Sequence, residues 1–261
     1  MLDTTTDTLT LQGVLNFTNP TPYTAHIPYA NIHILHNDTL IAEASVTDLD
    51  VVQGTNTDVV IKAVWDPSMG GEEGRHIARE LISQYLSGYN TSLTVKAHSK
   101  TFPGQPILCD ALSRFNATFS TPRISLPGDD DGDHDDRNKS SQFIRDATFH
   151  ILSSTATFTL VSPLEHNTVY LDTVNATAFY NHTEPVGRIL YAEPFAAPPG
   201  RSRTPHLPVQ WILGGGGYDA VINAIGGTLH LDAFARVDVR LGNWRESVWY
   251  RGKGIGASIR L

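Results

Sequence analysis

The sequence predicts a mainly β protein of two tandem β-sandwiches, each with one short amphipathic helix. Three observations predict it. Apolar and polar residues alternate in short stretches bounded by Gly, Pro and Asn. Threonine, whose branched side chain suits a half-buried strand, occurs 27 times in 261 residues. The same order of elements also appears twice, at an offset of roughly 140 residues. Seven or so short strands with one helix per copy describe the immunoglobulin or fibronectin type of sandwich. With 40% hydrophobic and 18% charged residues the chain can bury two cores without disulfides. Its single Cys109 reads as a small core residue.

The first copy occupies residues 1–120 and the second 142–261, joined by a linker at 121–141. Leu9, Leu11, Leu15 and Phe17 alternate into Asn19-Pro20, and Ala156, Phe158 and Leu160 alternate into Ser162-Pro163. Proline cannot extend a ladder, so both strands end there. A hairpin follows in each copy. Its turns are His36-Asn37-Asp38-Thr39 and Tyr180-Asn181-His182-Thr183. Gly54 and Gly200 then precede strands carrying Val59, Ile61, Ala63, Trp65 and Leu207, Val209, Trp211. After each strand a Gly-rich loop opens a helix, with apolar faces Ile77, Leu81, Ile82, Tyr85, Leu86 and Tyr218, Val221, Ile222, Ile225. Gly88 and Gly226-Gly227 stop them. An alternating strand comes next, Leu93/Val95/Ala97 or Leu229 to Leu241, and a last strand closes each copy, Phe115/Ala117/Phe119 or Ile255 to Leu261.

The net charge is −8, and six aspartates between Asp129 and Asp136 supply most of it. Self-repulsion extends this linker, so the halves are expected to fold independently. Counting an EF-hand from Asp129 puts His134 where glycine is required and Ser140 where the bidentate glutamate is required, which argues against calcium. No basic stripe is present to neutralise phosphates, so nucleic acid is not an expected partner. No polybasic segment addresses an anionic membrane surface.

Seven N-x-Ser/Thr sequons occur, at Asn16, Asn37, Asn90, Asn116, Asn138, Asn175 and Asn181. Chance would give about two. The excess predicts N-glycosylation and hence the secretory lumen. Asn16, Asn116 and Asn175 fall on the polar register of alternating stretches, where a glycan would stay outside the core. The opening MLDTTTDTLTLQG has neither a basic n-region nor an apolar h-region. A lumenal chain needs an entry signal, so the expectation is a lumenal piece of a longer precursor, held to a membrane only by an anchor outside this sequence.

The segment VLNFTNPTPYTAHIPYANIHILHNDTLIAEASVTDLDVVQGTNTDVVIKAVW resembles the type 2 late-embryogenesis-abundant (WHy) domain: an apolar strand into Asn19-Pro20, the hairpin at Asn37, and Gly54 before a Val-rich strand. The second copy, FTLVSPLEHNTVYLDTVNATAFYNHTEPVG, resembles it with Ser162 in place of the Asn and with Pro198-Pro199-Gly200 in a longer insertion. The pairing of two such units, ending in WYRGKGIGASIRL, is similar to fungal membrane-anchored lumenal proteins carrying the DUF3712 domain. That resemblance implies a vacuolar or other endomembrane glycoprotein with no catalytic residues.

Other chemistry finds little support. Gly214 to Gly217 between a strand and a helix has the order of a phosphate loop, but no GK[ST] follows. In the first copy Glu72 and Glu73 at the equivalent corner would repel a phosphate. His33 and His36, three apart on a strand, point to opposite faces and cannot share a metal; they read as surface histidines. No GxSxG, HExxH or paired Cys/His is present, so no enzyme activity, cofactor or metal is expected. Of Tyr23, Tyr29, Trp65, Trp244 and Trp249, Trp65 shares the register of Val59, Ile61 and Ala63 and is expected in the core. Two functions remain from different classes. One is a glycosylated lumenal scaffold or interaction module with a lumenal protein partner. The other is a carrier of lipid or another small apolar ligand, with the two helices as lids.

Overall fold

The computed structural model describes residues 3–121, 143–162, 164, 166–214 and 216–261. The acidic run, Asn138, Pro163 and Gly215 lie outside the described residues. The chain divides into two compact units: Met1–Leu81, Thr91–Thr121 and Gly242–Trp244 form one, and Ile82–Asn90, Pro122–Leu241 and Arg245–Leu261 the other.

The first unit holds β1 (Asp3–Thr4), β2 (Leu9–Asn19), β3 (Ala25–His36), β4 (Thr39–Val51) and β5 (Gly54–Trp65). Helix α1 (Gly71–Leu86), β6 (Ser92–Lys96), α2 (Pro106–Ser113) and β7 (Asn116–Ser120) follow, α1 running past Leu81 into the second unit. The seven strands form one antiparallel path, β1-β2-β5-β4-β3-β6-β7. An immunoglobulin-type sandwich would separate them into two sheets. Here β5 joins the halves, because it pairs with β2 along its length and with β4 through Lys62–Trp65.

The expected turns form as the sequence dictates. Asn37 and Asp38 have φ of 49° and 61°, and Asn181 and His182 have 47° and 68°. Two consecutive positive φ values make the tight hairpin turn whose twist matches the flanking strands, and Asn tolerates them better than most residues.

Helix α1 lays Ala78 and Leu81 against Ile41 and Ala42, with Ile34, Trp65, Ile77 and Leu93 packed around them. Ile41 is fully buried. Trp65 therefore packs on the core as its register predicts. Helix α2 corrects the expectation of one helix per copy. Pro106 starts it at a position where a missing N–H costs nothing, and Cys109 buries its thiol completely, accepting from Phe102 N and donating to Phe102 O.

The second unit contains β8 (Ile144–His150), β9 (Thr155–Ser162), β10 (Val169–Tyr180), β11 (Glu184–Tyr191), β12 (Phe195–Ala197), β13 (Gly200–Arg203), β14 (Leu207–Pro208) and β15 (Gln210–Trp211). It continues with α3 (Gly216–Asn223), β16 (Thr228–Leu241) and β17 (Trp244–Arg260). Its main path is β13-β9-β8-β17-β16-β10-β11-β15, with β12 on β10 and β14 on β9. Where the first copy has the single strand β5, the second has three pieces. Pro205 and Pro208 lack ladder donors, so β13 and β14 pair with β9 and only Gln210–Trp211 reaches β11. Strand β8, which has no expected counterpart, pairs in parallel with the end of β17. Phe149 on β8 and Tyr218 on α3 both pack on Trp211, with ring centroids 5.7 and 6.2 Å away. Ser83 and Ser87, also in this unit, are buried and accept the backbone N–H groups of Trp249 and Arg251 at 3.1 and 2.9 Å.

Candidate functional site

The glycine corners are packing devices. A Cβ on Gly74 would lie 2.4 Å from Pro67 O and 3.3 Å from Leu40 O, and one on Gly70 would lie 2.6 Å from Leu40 O. The helix N-terminus thus sits directly on the backbone just after the first hairpin turn. In the second unit a Cβ on Gly216 would lie 2.3 Å from Glu184 Oε2, and one on Gly217 would lie 3.0 Å from Pro185 O. The same hairpin-to-helix contact recurs. Glu184 Oε2 is buried without a hydrogen-bond partner among the described residues, and it lies beside the first turn of α3.

The sequon asparagines Asn16, Asn37, Asn90, Asn116, Asn175 and Asn181 are all exposed. Asn16 Oδ1 accepts from Asp58 N at 2.9 Å, and Asn175 Oδ1 accepts from Arg188 Nη2 at 3.3 Å. The amide nitrogen is the atom a glycan takes. Thr39 and Thr183 place their hydroxyls 3.4 Å from Asn37 O and Asn181 O, so the two turn sequons have matching local geometry.

A third cluster was not legible in the sequence. His33 on β3 stands opposite Glu43 on β4, with His33 Nε2 3.4 Å from Glu43 Oε1. The loop after β6 brings His98 onto His33, the rings stacked at 3.9 Å between centroids and 6° between planes. Asn31, on the same face of β3 as His33, links the group: its Nδ2 donates to Glu43 Oε2 at 3.3 Å, and His98 Nε2 bonds its Oδ1 at 3.1 Å. Buried Thr101 fixes the loop. Its hydroxyl accepts from His98 N at 2.7 Å, and its carbonyl accepts from Asn31 N at 3.0 Å. Burial, followed by the neighbouring His33, lowers the His98 pKa below the ordinary imidazole value. One ligand atom from each of His33, Glu43 and His98 lies within 4.8 Å of the others.

His36 corrects the surface-histidine reading. It is buried, and its Nδ1 meets Ser92 O at 2.8 Å. The aromatic residues form no common strip, since Tyr23 is 77% exposed while Trp244 is buried.

Family comparison decides the identity. Residues 1–109 match the model of the Tag1-like fourth LEA-2 like domain, and residues 136–249 match the Tag1-like fifth LEA-2 like domain. The chain carries two tandem LEA-2-like domains. No curated protein matches it. LEA-2-like domains are non-catalytic modules. In the first LEA-2-like domain α1 contributes directly to the core, and in the second Val221 of α3 is fully buried. No described helix is long and apolar enough to cross a membrane.

Missing from the sequence reading of the first LEA-2-like domain was the partner of His33. A register shift between Ile34 and Leu35 puts Glu43 opposite His33, where the turn alone would put Ala42. Sequence alternation carries no signal for such a bulge.

Proposed function

We propose that the chain is a non-enzymatic, N-glycosylated scaffold or interaction module on the lumenal side of a fungal endomembrane, the vacuolar membrane first among them. The observation that carries the reading is the exposure of six sequon asparagines on two non-catalytic LEA-2-like domains. Matches to a fourth and then a fifth domain support a further part of the proposal, that these are consecutive units of a longer lumenal array with its anchor elsewhere. The DUF3712-type setting belongs to the same proposal. So do the assignment of residues 1–120 and 142–261 to the two copies and a lumenal protein partner.

The test is expression through a eukaryotic secretory pathway, with the hydroxyl residue of each sequon changed to alanine singly. Thr39→Ala and Thr183→Ala remove a sequon while leaving the turn asparagine in place. Each occupied site should cost one glycan step in mobility, and enzymatic deglycosylation should collapse the ladder. Cross-linking in lumenal extract should then recover a protein partner. A secreted chain whose mobility no variant and no glycosidase alters would overturn the glycoprotein reading.

A further inference from the structure

We propose that His33, Glu43 and His98 form a divalent transition-metal site of the zinc class in the first LEA-2-like domain, with Asn31 as its positioning residue. Two imidazoles and one carboxylate are a donor set that suits zinc and disfavours calcium or magnesium, which take oxygen ligands. The three groups come from three separate stretches of chain, and all are half-buried. Few surface histidines meet that description. Three protein ligands leave a coordination position for water.

The surroundings supply what a metal site requires beyond its ligands. Asn31 bonds both His98 and Glu43, so one side chain sets the orientation of two ligands. Thr101 ties the His98 backbone to β3 through Asn31 N. The carboxylate offsets part of the ion's charge, while Lys100 is exposed.

Loading requires a defined rearrangement. A metal lies in the plane of each ligating ring at about 2 Å from nitrogen. Parallel rings 3.9 Å apart cannot both meet that condition, so one ring must turn and the stack must open. The ring proton stays where it is. Lys100 N donates to His98 Nδ1 at 3.3 Å, which leaves the ring proton on Nε2 facing Asn31. Coordination through Nδ1 keeps that proton on Nε2, donating to Asn31 Oδ1, and the Lys100 amide loses its acceptor. Zinc thus clips the loop after β6 to the β3–β4 hairpin at the cost of one backbone hydrogen bond.

The experiment uses the full chain stripped with chelator at neutral pH. Zinc titration calorimetry should give one site, and cobalt should give the visible bands of a low-coordinate N/O site. The Lys100 amide resonance should shift on loading. His33→Ala and His98→Ala should abolish the cobalt bands, Glu43→Gln should weaken them, and Asn31→Ala should lower affinity by about tenfold or more. His26→Ala and His182→Ala, at exposed histidines paired to Asp50 and Asp232, should change nothing. Circular dichroism identifies any variant that fails to fold, and the isosteric Glu43→Gln then carries the test. Absence of uptake in excess zinc, or uptake that Glu43→Gln and Asn31→Ala leave unchanged, overturns the proposal.

Discussion

Replacing Gly74 with alanine tests whether the glycine corner before α1 is a packing contact or merely a flexible loop. The added Cβ would lie 2.4 Å from Pro67 O and 3.3 Å from Leu40 O. The nearer contact is about an ångström inside ordinary van der Waals distance, and both partners are backbone, which cannot swing away. Overpacking of this kind costs about 1–3 kcal/mol. Alanine's helical preference over glycine returns about 1 kcal/mol. The net expectation is a loss of up to about 2 kcal/mol, or a urea midpoint lower by up to roughly 1 M at unchanged slope. Gly216→Ala is the internal comparison. There the nearest atom, at 2.3 Å, is the end of the Glu184 side chain, which can rotate, so the loss should be smaller. Urea unfolding followed by circular dichroism measures both, with hydrogen exchange at Ile41 locating the loss in the first unit. A Gly74→Ala protein more stable than the parent would refute the packing reading.

Three further outcomes follow from the same coordinates. Ile41→Ala removes a fully buried side chain from the contact between α1 and β4 and should cost about 2–5 kcal/mol in calorimetric or denaturant stability. Asn37→Ala forces alanine to φ near 49° and should cost about 1–2 kcal/mol, whereas Asn37→Gly should be close to neutral in the same assay. For Asp232, burial alone would raise the pKa. The bonds from His182 Nδ1 at 2.6 Å and Gly254 N at 2.9 Å, with the charges of His182 and Lys253, outweigh it and hold the carboxyl below its ordinary value. A depressed carboxylate contributes stability above its unfolded pKa and loses it as pH falls through the folded value. The stability gap between the parent and Asp232→Asn should therefore be full above about pH 4 and close below it, as acid titration of the unfolding midpoint will read.

Much of the fold was legible because local rules and tertiary packing agree. The alternation from Leu9 to Phe17 becomes β2, and both Asn-containing turns adopt the positive φ values that asparagine tolerates. Gly54 and Gly200 begin their strands at φ of 83° and 73°. Elsewhere the two levels diverge. Helix α2 escaped notice because Ile107 and Leu108 are exposed, so its apolar residues do not trace a core-facing stripe; only Pro106 and Cys109 mark it. In β8, adjacent Arg145 and Asp146 interrupt the alternation, and the strand is held between antiparallel β9 and parallel pairing with the distant residues 256–260. The same distance hid the histidine cluster. His33 and His98 are neighbours only because β6 pairs with β3 and Thr101 turns the following loop back. The exposure of the sequons was largely readable, since an asparagine in a hairpin turn or on the polar register of a strand points outward.

On the proposed reading, these tandem non-catalytic domains work as a glycosylated lumenal module. The most direct measurement is site mapping on the native protein: enzymatic release of N-glycans in heavy-oxygen water, followed by peptide mass spectrometry. Released sites convert to isotopically marked aspartate. The mark is expected at the exposed asparagines, Asn37 and Asn181 in the hairpin turns foremost among them. Native peptides spanning all six exposed sequons that carry unmodified asparagine and no mark would contradict it.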